Sequence, residues 1–112
     1  MNSHDSLEVD VRTVSSMLDR GEDFLLLDVR EQEEYEVARI DRSLLIPMSE
    51  LGDRVTELEP HRDRLVVVHC HHGMRSLQVT HALRGHGFDK VQSMAGGIDQ
   101  WSQLVDANVP RY

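Results

Sequence analysis

The feature that most constrains the fold is an alternation between short apolar runs and segments with helical periodicity. Short apolar runs are typical of strands buried on both faces, as in a parallel sheet that helices cover. We predict strands over residues 7–9, 24–27, 44–46, 65–69 and 91–94, and helices over 11–20, 31–37, 49–58, 75–85 and 98–105. The alternation therefore predicts an α/β fold, in which about five parallel strands are flanked by helices on both faces.

The length and charge of the chain narrow the possible functions. Its 112 residues fit one domain, which we place over residues 1–112 with residues 1–5 as a flexible terminus. The formal net charge of -8 argues against nucleic acid or an anionic membrane as a partner, because like charges repel. The apolar runs are too short to span a bilayer and no secretory signal is visible, so we expect a cytoplasmic protein.

The single cysteine of the chain, Cys70, directly follows the strongest predicted strand. In parallel sheets, ligands bind beyond the carboxyl ends of the strands, which is where this thiol is expected. Four residues separate it from Arg75, where we expect the next helix to begin; they are His71, His72, Gly73 and Met74. A connection this short must curl, so that its N–H groups turn inward toward one point.

The composition of this loop indicates chemistry. Inward N–H groups and the start of a helix stabilise a thiolate, so Cys70 is expected to ionise more readily than free cysteine. Gly73 supplies the freedom that the curl needs, and Arg75 adds a guanidinium suited to oxyanions. The loop predicts a nucleophilic thiolate that acts on a small anionic substrate, with residues 71–75 around it. A cysteine that only fills the core has no need of such a turn.

The histidines around the cysteine raise the alternative of a metal site. They are His69, His71, His72 and His81. Neighbouring side chains on a curled loop diverge rather than converge on one ion, and no second cluster supplies further ligands. We therefore predict no metal, with His71 and His72 as exposed loop residues at the mouth of the pocket and His69 as a strand residue.

Several segments together resemble a known family. They are Leu27-Asp28-Val29-Arg30-Glu31 with Glu34-Tyr35, Ile46-Pro47, His69-Cys70-His71-His72-Gly73-Met74-Arg75-Ser76, and Ala95-Gly96-Gly97-Ile98 with Trp101. In this order and spacing they resemble a single-domain rhodanese over nearly the whole chain. The resemblance implies a five-stranded rhodanese-like α/β fold and a thiosulfate:cyanide sulfurtransferase-like enzyme without a cofactor. One segment departs from the family, since Arg39-Ile40-Asp41-Arg42-Ser43 stands where His-Ile-Pro-Gly-Ala is often found.

The resemblance also implies roles for individual residues. Cys70 is the nucleophile that takes sulfane sulfur from a donor such as thiosulfate and carries it as a persulfide to cyanide or a protein thiol. The N–H groups of residues 71–75 cradle the sulfur, and Arg75 closes the loop and contacts the donor. Asp28 and Arg30 are supporting residues near the pocket, with a structural brace as the other reading of Asp28. The glycines of the Ala95–Ile98 segment and Trp101 are implied to be architecture.

Two other functions stay open at this point. Cysteine-dependent phosphatases and arsenate reductases also hold a thiolate before a helix, but they typically place five residues between the cysteine and the arginine, against four here. The shorter loop favours a single bound sulfur over a tetrahedral phosphoryl group. The other possibility is a non-catalytic rhodanese-like module that binds or regulates a partner, because a fold does not settle an activity.

Overall fold

The computed structural model describes residues 6–112. Its strands are β1 (Glu8–Val9), β2 (Phe24–Asp28), β3 (Ser43–Leu45), β4 (Leu65–His69) and β5 (Val91–Met94). They form one five-stranded sheet in the order β1-β5-β4-β2-β3, and every neighbouring pair is parallel. The predicted parallel sheet is confirmed, and β4 lies at its centre between β2 and β5.

Helices cover both faces of this sheet. They are α1 (Val11–Asp19), α2 (Gln32–Val37), α3 (Leu51–Arg54), α4 (Met74–Gly85) and α5 (Gly97–Leu104). Alternate residues along a strand point to opposite faces. On one face, Leu26 and Val67 pack with side chains of α1 and α5, and on the other Leu27 and Val68 pack with side chains of α4. The sheet is thus enclosed by two apolar layers, as the α/β prediction required.

Helix α1 begins directly after a capping residue, Asp10. The carboxylate of Asp10 accepts a hydrogen bond from the Thr13 N–H at 2.7 Å. A capping acceptor satisfies one of the free N–H groups at the start of a helix. Val11, Val14 and Met17 are buried at helical spacing, which joins this helix to the core.

The predicted helix over residues 49–58 is wrong. The segment is divided into a 3₁₀ turn (Met48–Glu50), the short helix α3, and a second 3₁₀ segment (Val55–His61) that contains Pro60. Gly52 and Pro60 both oppose a continuous α-helix. Leu58 is still fully buried, so the helical spacing of the apolar residues in this segment reflects contact with the core rather than a regular α-helix.

The turn before β3 contains a left-handed residue. Arg42 has a φ of 71°, and it is the one non-glycine residue with positive φ in the described range 6–112. It stands where the resembled family often has glycine. Its guanidinium donates a hydrogen bond to the Leu18 carbonyl at 3.3 Å. The turn therefore keeps a glycine-type conformation without the glycine, at a cost in backbone energy.

The prediction of a flexible terminus at residues 1–5 lies outside the described residues. Among residues 6–112, none of the helices has the length and hydrophobicity needed to cross a bilayer.

Candidate active site

The sheet places Cys70 at the carboxyl edge of its central strand. Strand β4 is buried along its whole length and ends at His69, directly before the cysteine. Gly73 is the residue before α4, with a φ of 108° in the left-handed region. A Cβ added there would lie 3.2 Å from the Gly96 nitrogen. The loop therefore needs glycine at this position both for its backbone conformation and for the close approach of the β5–α5 turn.

The loop directs hydrogen-bond donors at the sulfur. The N–H groups of Gly73 and Ser76 donate to Cys70 Sγ at 3.2 Å and 3.3 Å. The Ser76 hydroxyl lies 3.4 Å from the same sulfur, and it also contacts the Ser93 hydroxyl at 2.7 Å. Cys70 is only 1% exposed. Donors that converge on this sulfur stabilise negative charge on it, which is what a thiolate requires.

The β5–α5 turn holds the cysteine loop from behind. Ile98 N–H donates to the Cys70 carbonyl at 2.9 Å, and Asp99 N–H donates to the His71 carbonyl at 3.1 Å. A Cβ on Gly97 would lie 2.5 Å and 2.4 Å from these two carbonyl oxygens. Gly97, which the resemblance marked as architecture, thus lets two backbone segments meet and fixes the cradle.

Arg75, at the end of the cysteine loop, forms an ion pair with Glu34 of helix α2. Its two terminal nitrogens donate to the two carboxylate oxygens of Glu34 at 2.6 Å and 2.8 Å. Glu34 also accepts from the Tyr112 hydroxyl at 2.8 Å and from the Glu31 N–H at 3.0 Å. The hydrogen bonds from Arg75 are the main reason that the pKa of Glu34 falls to about 2. The pair is thus charged on both sides throughout the neutral range.

Asp28 and Arg30 form a buried brace next to the site. Both side chains are 0% exposed, and Arg30 Nη2 lies 2.7 Å from Asp28 Oδ2. Arg30 also donates to the Ala38 carbonyl at 2.7 Å, to the Glu34 carbonyl at 3.2 Å and to the Tyr112 hydroxyl at 2.9 Å. A buried pair needs such extra hydrogen bonds to offset its desolvation. These contacts connect the end of β2 to helix α2, which carries Glu34.

The three histidines nearest to Cys70 in the chain differ in their exposure to solvent. His71, which was predicted to be exposed, is half-buried because its ring stacks between Tyr112 and His72, with ring centroids 3.9 Å apart in both pairs. The His72 side chain is 64% exposed, and Met74 is 77% exposed at the start of α4. His69 is fully buried with Nε2 3.1 Å from the Ser43 hydroxyl, and burial lowers its pKa to about 4. Residues 6–112 contain no group of three or more His, Cys, Asp or Glu side chains placed to hold a metal.

The structure adds residues that the sequence reasoning did not assign to the site. They are Ser76, Ser93, Gly97, Glu34 and Tyr112. Ser76 directly follows the predicted loop, and a donor at the first turn of a helix that starts beside the thiol could have been anticipated. Tyr112 lies 78 residues from Glu34 in the chain, and no local pattern announces their contact.

The comparisons with known proteins agree with this architecture. Residues 10–104 match the model of the rhodanese-like domain family. A sulfurtransferase from Allochromatium vinosum is 34% identical over 96 residues, which cover 86% of this chain and 88% of that protein. The structure of the human single-domain sulfurtransferase TSTD1 superposes with a TM-score of 0.79 at 27% identity, covering 88% of this chain and 97% of that one.

Some relatives are much longer. The adenylyltransferase and sulfurtransferase MOCS3-2 of Zea mays is 33% identical over 113 residues, which are 96% of this chain and 23% of the relative. The chain thus spans about a quarter of the length of that protein. The family match over residues 10–104 and the similarity to a sulfurtransferase over most of both chains lead to one classification: this chain belongs to the rhodanese-like sulfurtransferase family.

Proposed function

We propose that this protein transfers sulfane sulfur through a persulfide on Cys70. The observation that carries the proposal is the pair of hydrogen bonds from the Gly73 and Ser76 N–H groups to Sγ, at 3.2 Å and 3.3 Å. Such donors stabilise the Cys70 thiolate, both when it attacks the donor and when it leaves again at the end of the reaction. The sulfur carrier is the cysteine itself, so the scheme uses no cofactor.

The reaction divides into two displacements. In the first, the Cys70 thiolate attacks the outer sulfur of the donor and a new S–S bond forms. The S–S bond of the donor breaks, and its electron pair leaves with sulfite when the donor is thiosulfate, or with a thiolate when the donor is a persulfide. In the second, a nucleophilic acceptor such as cyanide or a protein thiolate attacks the terminal sulfur, and the Cys70 thiolate leaves.

The site residues take separate parts in this scheme. Residues 71–75 form the loop around the sulfur, and the Ser76 hydroxyl, 3.4 Å from Sγ, adds a further polar contact. Asp28 and Arg30 keep the end of β2 and helix α2 in place. We place the reaction in the cytoplasm, because a working thiol must stay reduced.

A turnover assay tests this proposal. Purified protein is supplied with thiosulfate or an alkyl persulfide as donor and cyanide as acceptor, and thiocyanate is measured. We expect Cys70→Ser to abolish turnover at unchanged melting temperature, since the hydroxyl keeps the packing but carries no sulfur. A parallel assay with phosphate monoesters covers the phosphatase alternative. Hydrolysis of these esters without sulfur transfer would reject the proposal, and inactivity in both assays would favour a non-catalytic module.

A further inference from the structure

We propose that Glu34 determines the donor preference of this site, by turning it away from dianionic thiosulfate and toward persulfides of uncharged thiols. The inference rests on the proposed sulfurtransferase function and specifies its substrate class. Its basis is the ion pair between Glu34 and Arg75, the arginine closest along the chain to Cys70.

The carboxylate of Glu34 is held in place by four donors. Both terminal nitrogens of the Arg75 guanidinium donate to it, at 2.6 Å and 2.8 Å. Glu34 therefore engages each of the two terminal nitrogens. The Tyr112 hydroxyl and the Glu31 N–H hold the same two oxygens from other directions. A carboxylate fixed by this many donors does not leave the guanidinium without a large loss of hydrogen bonding.

Two further arginines, Arg30 and Arg111, are also paired with carboxylates. Arg30 is buried against Asp28, and Arg111 Nε lies 3.0 Å from Asp99 Oδ1. Arg75, Arg30 and Arg111 therefore each face a carboxylate. The loop offers N–H groups to the sulfur atom, whereas the charges of these three arginines are already compensated before an anion binds.

This charge balance affects the two donor classes differently. Thiosulfate brings two negative charges, and its leaving group is sulfite, which departs with both of them. A fixed carboxylate beside the site opposes such a donor in both the bound state and the transition state. The persulfide of an uncharged thiol brings at most one charge, and its leaving group is a small thiolate. Glu34 therefore costs this donor much less binding and much less rate.

The test compares two donors on four proteins. The donors are thiosulfate and the persulfide of 2-mercaptoethanol, and the rate at which each loads sulfur on Cys70 is followed against donor concentration. The proteins are the wild type, Glu34→Gln, Glu34→Ala and Glu33→Gln. Glu33 is exposed on the same helix, so its variant is a matched control for the loss of one negative charge. Melting temperatures establish that each variant is folded, and Glu34→Ala stands in if Glu34→Gln does not fold.

We expect Glu34→Gln to lower the half-saturating thiosulfate concentration by about tenfold, as electrostatic interactions at partly exposed sites allow. The value for the persulfide should stay within about twofold, and Glu33→Gln should resemble the wild type with both donors. Equal effects on the two donors, or no effect on either, would overturn the inference. If the wild type loads sulfur from neither donor, the proposed function itself fails, and that result is distinct from a loss of discrimination.

Discussion

Replacing Gly97 by alanine tests how the cysteine loop is held. The added Cβ would meet the His71 and Cys70 carbonyl oxygens at 2.4 Å and 2.5 Å, well inside contact distance. The backbone has a φ of 60°, which alanine adopts at a cost of about 1 kcal/mol. To relieve the overlap, the turn must move away from the loop and lose the hydrogen bonds from the Ile98 and Asp99 N–H groups, each of which contributes about 1 kcal/mol.

Together these terms predict that Gly97→Ala lowers the free energy of unfolding by about 3 kcal/mol. For a domain of this size, the melting temperature should fall by roughly 10 °C. Sulfur loading of Cys70 should slow as well, because the displaced carbonyls belong to the cysteine and the residue after it. Urea unfolding and the initial rate of persulfide formation measure the two effects.

Gly21 provides a matched control. Its φ is 66°, close to that of Gly97, but a Cβ added there has no heavy atom within 4 Å. Gly21→Ala should therefore show the backbone cost alone, about 1 kcal/mol, with normal sulfur loading. The reasoning is refuted if Gly97→Ala is no less stable than Gly21→Ala and loads sulfur at the wild-type rate.

Two further predictions concern stability. His69 has a pKa lowered to about 4, so below pH 6.5 the unfolded chain binds a proton there that the folded chain does not. Between pH 6.5 and 4 this should remove about 3 kcal/mol of stability, and urea unfolding across that range should show a shallower loss in His69→Asn; parallel slopes would contradict the assignment. At Arg42, glycine should exceed alanine in stability by about 1 kcal/mol, because both substitutions remove the side chain and only alanine strains the left-handed backbone. Equal melting temperatures for Arg42→Gly and Arg42→Ala would rule out this strain.

The parts of the fold that the sequence predicts are those determined by local burial. Strands β4 and β5 have the predicted bounds. An uninterrupted apolar run identifies β4 as a buried strand, and turn residues on either side delimit β5. The 49–58 segment shows the limit of the same reasoning. Leu51, Val55 and Leu58 have helical spacing, but Gly52 and Pro60 weaken the helix, and tertiary packing of the core stabilises 3₁₀ turns in its place.

The candidate site divides in the same way. Cys70, Gly73 and the helix start are adjacent in the chain, so their strand-loop-helix geometry could be anticipated. The ion pair of Arg75 with Glu34 joins residues that are 41 positions apart in the chain, and the hydrogen bond of Tyr112 with Glu34 joins residues that are 78 positions apart. Such partners are decided by the packing of α2 and the C-terminal segment against the loop. The sequence indicates an arginine suited to anions, whereas the structure gives it a carboxylate partner.

The central claim is that Cys70 carries the transferred sulfur, and intact mass spectrometry measures this most directly. The protein is incubated with thiosulfate or the persulfide of 2-mercaptoethanol, and the donor is then removed. The intact mass of the protein is measured before and after addition of cyanide. The account predicts a mass increase of one sulfur atom that localises to the Cys70 peptide, is absent in Cys70→Ser, and disappears when cyanide is added. An unchanged mass with both donors, or an added sulfur that survives cyanide, would contradict it.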